Sequence, residues 1–367
     1  MGKTFFILPS LLMMLLGLPL LGVTFLGKAL SGGALSIYLE FPPRTIHLTP
    51  APFSRAAFAF YTLFILVILI PLIRHSLKRT GTGFKNTISA PLPWWGYLGI
   101  FFGSTFWILA WSRFTWFRLF QPFTFTPLWV GYIISMNALT FRRKGHCLLL
   151  DYPFLFLLLF PASVVFWWLF EYLNRFVQNW HYTGVAFSPL EYFLYASFSF
   201  STVLPAFAST REWLASFPAL ERFRSFLPLR IPWPTQVCLL TVVAAGIGLL
   251  VLGIYPEYLF PLLWILPLLI LVSLQALMKE AHVFSSLGHG DWRSVVSSGL
   301  AALVCGFFWE MWNYYSLARW VYHIPFVQHL QLFEMPLLGY AGYLPFGLQC
   351  GVVAEMVLAR NGKTTRA

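Results

Sequence analysis

The sequence predicts an all-α, polytopic integral membrane protein of about ten transmembrane helices, eight of them in a four-helix unit that occurs twice in parallel orientation. Three observations lead there. Apolar residues make up 59% of the chain, charged residues 10%, and the mean hydropathy is +0.73, well outside soluble norms. The apolar residues form continuous runs near the length that crosses about 30 Å of hydrocarbon, with no strand-like alternation. A series of polar landmarks then recurs in order in the two halves.

The expected spans are 5–26, 56–73, 94–112, 127–141, 152–174, 190–208, 235–254, 258–278, 295–316 and 336–358. The first follows Lys3 as a signal peptide would, yet its run exceeds the usual apolar core of such peptides and reads as a retained anchor. The net charge of +12 is spread by loop, without the aromatic interleaving of a nucleic-acid surface. Of the 24 Lys and Arg residues, 17 fall on the side that carries both termini, so the positive-inside rule places both termini in the cytoplasm of a bacterial-type plasma membrane. Arg74, Lys78, Arg79 and the run Arg142, Arg143, Lys144 then lie near anionic headgroups. Cys147, Cys238, Cys305 and Cys350 are far apart and read as single buried thiols.

The landmarks of the first copy are Asn137-Ala138-Leu139, Asp151, Glu171-Tyr172-Leu173-Asn174, Trp180-His181-Tyr182, Glu191 and Leu204-Pro205. Those of the second are Gln275-Ala276-Leu277, Asp291, Glu310-Met311-Trp312-Asn313, Trp320-Val321-Tyr322, Glu334 and Leu344-Pro345. The interval from Asp to the first Glu is 20 residues in one copy and 19 in the other; from first to second Glu it is 20 and 24. An even number of spans per copy returns the chain to its starting side, so the copies share one orientation. The resulting divisions are 1–90, a two-helix addition; 91–230, the first repeat with a basic linker at 209–234; and 231–367, the second repeat.

The two aspartates, Asp151 and Asp291, each precede a membrane helix and read as N-caps. Glu171 and Glu310 lie within spans, where an ionised group costs at least roughly 2.5 kcal/mol and therefore marks a partner or a cavity. At i and i+3, Glu171 shares a helix face with Asn174, and Glu310 with Asn313. Trp180 and Tyr182, or Trp320 and Tyr322, follow, and then Glu191 or Glu334 at the entry to the next helix. Facing copies would gather Glu310, Glu171, Glu191 and Glu334 as catalytic groups, with the two asparagines and four aromatic residues around a substrate. The same groups can also satisfy one another structurally, with Trp and Tyr in an interfacial belt. Arg175, four residues after Glu171, would neutralise it, whereas Glu310 has no such local cation. Glu191 and Glu334 can serve as helix-start charges, and Glu355 would meet the basic tail.

No HxxxH or HxxHH cluster, aspartate-rich diphosphate motif, Walker motif, GxSxG elbow or glycine-rich nucleotide fingerprint occurs, so no metal or cofactor is expected. Chemistry must come from carboxylates and aromatic rings.

The stretch Trp180-His181-Tyr182-Thr183-Gly184, followed by Pro189-Leu190-Glu191-Tyr192-Phe193, resembles the motif of the heterodimeric-type lycopene cyclases. In that family Trp-x-aromatic precedes Pro-x-Glu-Glu and an aromatic helix, and tandem copies of a small helical unit occur. The family's second glutamate is Tyr192 here, and Phe333-Glu334-Met335-Pro336 inverts the order of Pro and Glu, so only Glu191 carries over. The resemblance implies a carotenoid or other isoprenoid substrate, an acid that protonates a double bond, and ring faces that stabilise the carbocation.

The functional expectation is a membrane-embedded enzyme acting on an apolar lipid by general acid/base chemistry at Glu310 and Glu171, oriented by Asn313 and Asn174. Two rivals remain at this stage: a secondary transporter with its site between the repeats, which Pro256 and Pro267 in a broken span would suit, and a non-catalytic scaffold or lipid-binding subunit. The oligomeric state is not encoded legibly.

Overall fold

The structure, a computed structural model, describes residues 4–27, 36–43, 49–77, 90–230, 232 and 234–358. Lys3, Lys78, Arg79 and the basic tail lie outside the described residues. The main helices are α1 (Thr4–Leu21), α2 (Arg55–Leu77), α3 (Trp94–Trp111), α4 (Phe125–Lys144), α5 (Pro153–Val177), α6 (Pro189–Phe200), α7 (Val203–Ala215), α8 (Thr235–Leu252), α9 (Leu262–Leu277), α10 (Arg293–Tyr314) and α11 (Tyr343–Leu358). Among the described residues, five helices are long and apolar enough to cross a membrane: Arg55–Leu77, Pro153–Val177, Thr235–Leu252, Arg293–Tyr314 and Leu337–Leu358. The chain is thus mostly helical and compatible with an integral membrane protein.

Several expected boundaries move for local reasons. The span 190–208 is two helices, α6 and α7, because the chain turns at Ser201 and Thr202; α7 then runs to Ala215, into the stretch read as a linker. The span 258–278 begins only at Leu262, after the short helix Pro256–Leu259 and Pro261. Asp151 does not cap α5: it lies in the short helix Leu148–Asp151 and its Oδ2 is 3.1 Å from His146 Nδ1, while Tyr152 occupies the cap with Pro153 preset for the first turn. Asp291 does accept the Arg293 N–H at the start of α10, at 3.1 Å.

Helix α3 packs on α4, α8 on α9 and α10 on α11, while α7 sits among α4, α5 and α10. The α3–α4 crossing is close because both backbones present glycine: a Cβ on Gly131 would lie 2.6 Å from Gly103 N. The packed interior runs from Trp129 and Phe156 through Phe207 to Phe346, all nearly inaccessible. The four cysteines are buried and are not joined in disulfides.

Helix α2 differs from all of these, because none of its residues is buried. It is fastened at its ends. Ser54 N donates to Phe326 O at 2.9 Å, His75 Nε2 lies 2.8 Å from Arg222 O, and the Arg222 guanidinium donates to Ser76 O.

A two-stranded antiparallel ribbon, β1 (Trp180–Thr183) and β2 (Arg319–Tyr322), joins the segments that follow α5 and α10. The helical reading of the sequence did not include it. A smaller pair, β3 (Gln331–Leu332) and β4 (Met335–Pro336), lies between β2 and α11.

Candidate functional site

The C-terminal end of α5 is built to turn the chain back on itself. Gln178 adopts a left-handed conformation, φ 56°, and its N–H donates to Asn174 O. The Asn174 side chain completes the turn: its Nδ2 donates to Trp180 O at 2.8 Å, and its Oδ1 accepts from Asn179 N at 2.8 Å. Asn313 does the same at the end of α10, with Nδ2 donating to Trp320 O at 2.8 Å and Oδ1 accepting from Trp320 N at 2.9 Å. The two asparagines hold backbone rather than offering their amides to a ligand. Their effect is to deliver the next aromatic residues beneath each glutamate.

Glu171 is fully buried and its Oε1 collects three donors: Tyr182 Oη at 2.6 Å, Trp180 Nε1 at 3.0 Å and Trp167 Nε1 at 3.0 Å. Glu310 is equally buried, and its Oε1 accepts from Tyr343 Oη at 2.6 Å and Tyr322 Oη at 2.7 Å, with Trp320 Nε1 donating to Tyr322 Oη at 2.9 Å. In both residues Oε2 is buried without a hydrogen-bond partner. Each acid is therefore anchored through one oxygen and leaves the other uncommitted.

The expected cation beside Glu171 is absent from it. Arg175 donates instead to the Tyr38 and Glu40 carbonyls, so neither glutamate has a guanidinium partner among the described residues. Glu191 also stands apart. It is solvent-facing and forms a capping box with Ser188, because Ser-Pro-x-Glu at a helix start satisfies the first free N–H groups. Glu334 pairs with Arg319 at 3.3 Å. Glu355 meets Arg211 at 2.7 Å, and the basic tail expected beside it lies outside the described residues. The structure thus brings together Glu171, Glu310, Asn174, Asn313, Trp180, Tyr182, Trp320 and Tyr322, and leaves Glu191 outside.

The donors around the glutamates form part of the wall of a cavity of about 970 Å³. Trp167, Trp180, Tyr182, Tyr322 and Tyr343 line it directly, and the carboxyl groups sit behind them. Further rings close this end: Trp264 stacks on Trp180 with centroids 5.7 Å apart, Trp309 stacks on Tyr343 at 6.0 Å, and Phe346 meets Trp167 edge-on at 5.6 Å. From here the cavity continues between α2 and the body to Ser76, Phe223 and Trp292 at the far end. Its α2 wall consists of Tyr61, Phe64, Ile65, Ile68, Leu69, Leu72, Ile73 and Ser76, a single helical stripe at spacings of three and four.

His181 and His323 stack across the ribbon, with His323 Nε2 3.0 Å from His181 Nδ1. Among the described residues no three His, Cys, Asp or Glu side chains gather as a metal site would need.

Sequence reasoning did not single out Trp167, Trp264, Trp309, Tyr343 or Phe346. Trp167 was legible in principle, since it stands four residues before Glu171 on the same helix face. Tyr343 was not, being 33 residues from the glutamate it reaches. Comparison of the chain with protein-family models, with curated proteins and with solved structures finds no match, so the site is read from its own geometry.

Proposed function

We propose that the protein is a membrane-embedded enzyme that uses Glu310 and Glu171 for acid/base chemistry on a long apolar lipid. One observation carries the reading: two buried carboxyl groups, each with an uncommitted oxygen, are held behind the aromatic wall of an elongated apolar cavity. A scaffold needs no such cavity, and an acid buried only for packing gains from having both oxygens bonded.

In this reading Glu310 is the general acid. Its proton reaches a substrate double bond by way of the Tyr343 or Tyr322 hydroxyl, which lies between the acid and the cavity. Proton addition to one alkene carbon leaves a carbocation on the other, and the faces of Trp180, Trp264 and Trp309 stabilise it through their ring quadrupoles. Loss of a neighbouring proton to ionised Glu171 forms a new double bond, and return of one proton from Glu171 to Glu310 resets the pair for the next turnover. Atoms and electrons balance as a net isomerisation, or as a cyclisation if a second double bond attacks the cation first. The resemblance to the lycopene cyclases suggests an isoprenoid or carotenoid substrate, but Glu191, the position that carries over, supports the loop in this chain and takes no part in the acid pair.

The same reading keeps the ten-span topology with both termini cytoplasmic. It also keeps the duplicated unit, since the repeated Glu-x-x-Asn to Trp-x-Tyr hydrogen bonding supports a common origin for the two acid sites.

Lipid extraction and mass spectrometry of membranes expressing the wild type, Glu310→Gln or neither, at matched protein levels, test the proposal. A lipid species that changes only with the wild type supports it and identifies the substrate class. Unchanged profiles with folded protein overturn it in favour of transport or scaffolding.

A further inference from the structure

The cavity is chemically asymmetric along its length. Its middle and far portions are lined by Ile65, Ile68, Leu72, Leu300 and Leu303, with Trp292 at the end. At the ribbon end it meets Asn179, a residue only 3% exposed whose backbone is already committed: its N–H binds Asn174 Oδ1 and its carbonyl accepts from His323 N at 2.7 Å. The Asn179 side-chain Oδ1 is buried without a hydrogen-bond partner. A buried amide oxygen left unpaired is costly, which favours a hydrogen-bond donor at this end of the cavity.

The charge around Asn179 limits what that donor is. Arg319 is the charged side chain that lines the cavity, and it is already matched by Glu334 at 3.3 Å and by the Tyr314 carbonyl at 2.9 Å. Glu171 and Glu310 stand behind the same wall, which disfavours an anionic head. A neutral hydroxyl supplies the hydrogen and brings no charge to be desolvated. The stripe on α2 from Tyr61 to Ser76 gives the tail about 22 Å of helix to lie along, at a rise of about 1.5 Å per residue.

We propose that the cavity holds a single long-chain lipid whose neutral hydroxyl head lies at Asn179 and whose hydrocarbon tail runs along the inner stripe of α2 towards Trp292. This rests on the reading of the cavity as the lipid site, but requires no chemistry to occur there. With the head so placed, the unsaturation nearest the hydroxyl is the one beside Glu171 and Glu310. Because α2 buries no residue against the body, the gap along its length is where the chain enters from the bilayer.

The test is photolabelling of the purified full-length protein in lipid nanodiscs with two oleyl alcohol probes, one carrying a diazirine beside the hydroxyl and one at the far end. The head probe should label peptides that contain 179–183 and 318–322, and the tail probe those that contain 61–76 and 292–303. In competition, oleyl alcohol should outcompete the hydrocarbon of the same chain by about tenfold, the worth of one buried hydrogen bond. Oleylamine and oleic acid should compete no better than the hydrocarbon. Asn179→Leu should erase the advantage of the alcohol, while Thr241→Val, on the outside of α8, should keep it. Reversed or uniform labelling, equal competition by the hydrocarbon, or stronger competition by the amine or the acid overturns the proposal. The labelling pattern decides on wild-type protein even if Asn179→Leu does not accumulate. Expected labelling together with a lipid profile indifferent to Glu310→Gln would remove the chemistry and leave the binding mode standing.

Discussion

Trp180 lies directly opposite Tyr322 in the register of the β1–β2 ribbon, and the two side chains serve different glutamates: Trp180 Nε1 donates to Glu171 and Tyr322 Oη to Glu310. The ribbon is thus the mechanical link between two acid sites that belong to helices far apart in sequence. Anything that shifts one strand moves donors at both carboxyl groups.

Removing either acid while keeping its shape should separate chemistry from folding. Glu310→Gln retains an oxygen for Tyr322 and Tyr343 but loses the transferable proton. A loss of about 10²- to 10⁴-fold in product formation is expected, the usual worth of general acid/base catalysis, with thermal stability little changed. Activity measured beside a thermal melt in detergent checks both halves of the statement.

Gly306 faces the Tyr343 ring so closely that an added Cβ would lie 2.5 Å from it. Gly306→Ala should therefore push the ring away and break its hydrogen bond to Glu310, reproducing the activity loss of Tyr343→Phe. A double variant no worse than either single one, measured by product formation, is the expected sign that both act on one contact.

Asn174→Ala and Asn313→Ala should destabilise rather than inactivate selectively. Each leaves a Trp carbonyl and a backbone N–H of the turn without their partners, at about 1 to 3 kcal/mol. Denaturation of the purified variants should show both losses, with Asn313→Asp milder because it retains the acceptor.

Gly184 ends β1 at φ +89°, and a Cβ there would lie 1.8 Å from the Leu317 carbonyl oxygen. Gly184→Ala should displace the loop that connects the strand to α6 and lower the yield of folded protein. Fluorescence-detected size exclusion on tagged protein reads this out.

Asp291 is held below the usual carboxylate range chiefly by hydrogen bonding from Arg293. Its folded-state affinity for the proton is lowered, so its contribution to stability is complete above its ordinary value of 3.8 and is lost as pH falls through the lower folded value. Asp291→Asn should cost about 1 kcal/mol near neutrality and flatten the acid limb of the stability profile, as melts between neutral and strongly acidic pH would show.

The helical, apolar character and most helix positions were legible because continuous apolar runs are a strong local signal. The break at Ser201 and Thr202 was not, since Ser and Thr are common inside membrane helices and the apolar run resumes at once with Val203 and Leu204. Glu171, Glu310 and the aromatic residues after them could be found because polar groups are rare in apolar surroundings. The role of Arg175 was misread because an i, i+4 spacing permits a contact without requiring it, and carbonyls at Tyr38 and Glu40 compete for the same guanidinium. The ribbon, Tyr343 and Asn179 depend on residues brought together only by tertiary structure. The cavity was invisible for the same reason.

The unburied state of α2 has a bearing on how such a protein can diversify. Beyond Tyr61, which packs against the body, the inner stripe shapes the cavity without joining the packed interior, so exchanging Ile65 or Leu72 for a smaller or larger apolar residue alters the bore at little cost to folding. Under the proposed function, selectivity for chain length and branching can then drift on one helix while the aromatic chamber and its two acids stay fixed.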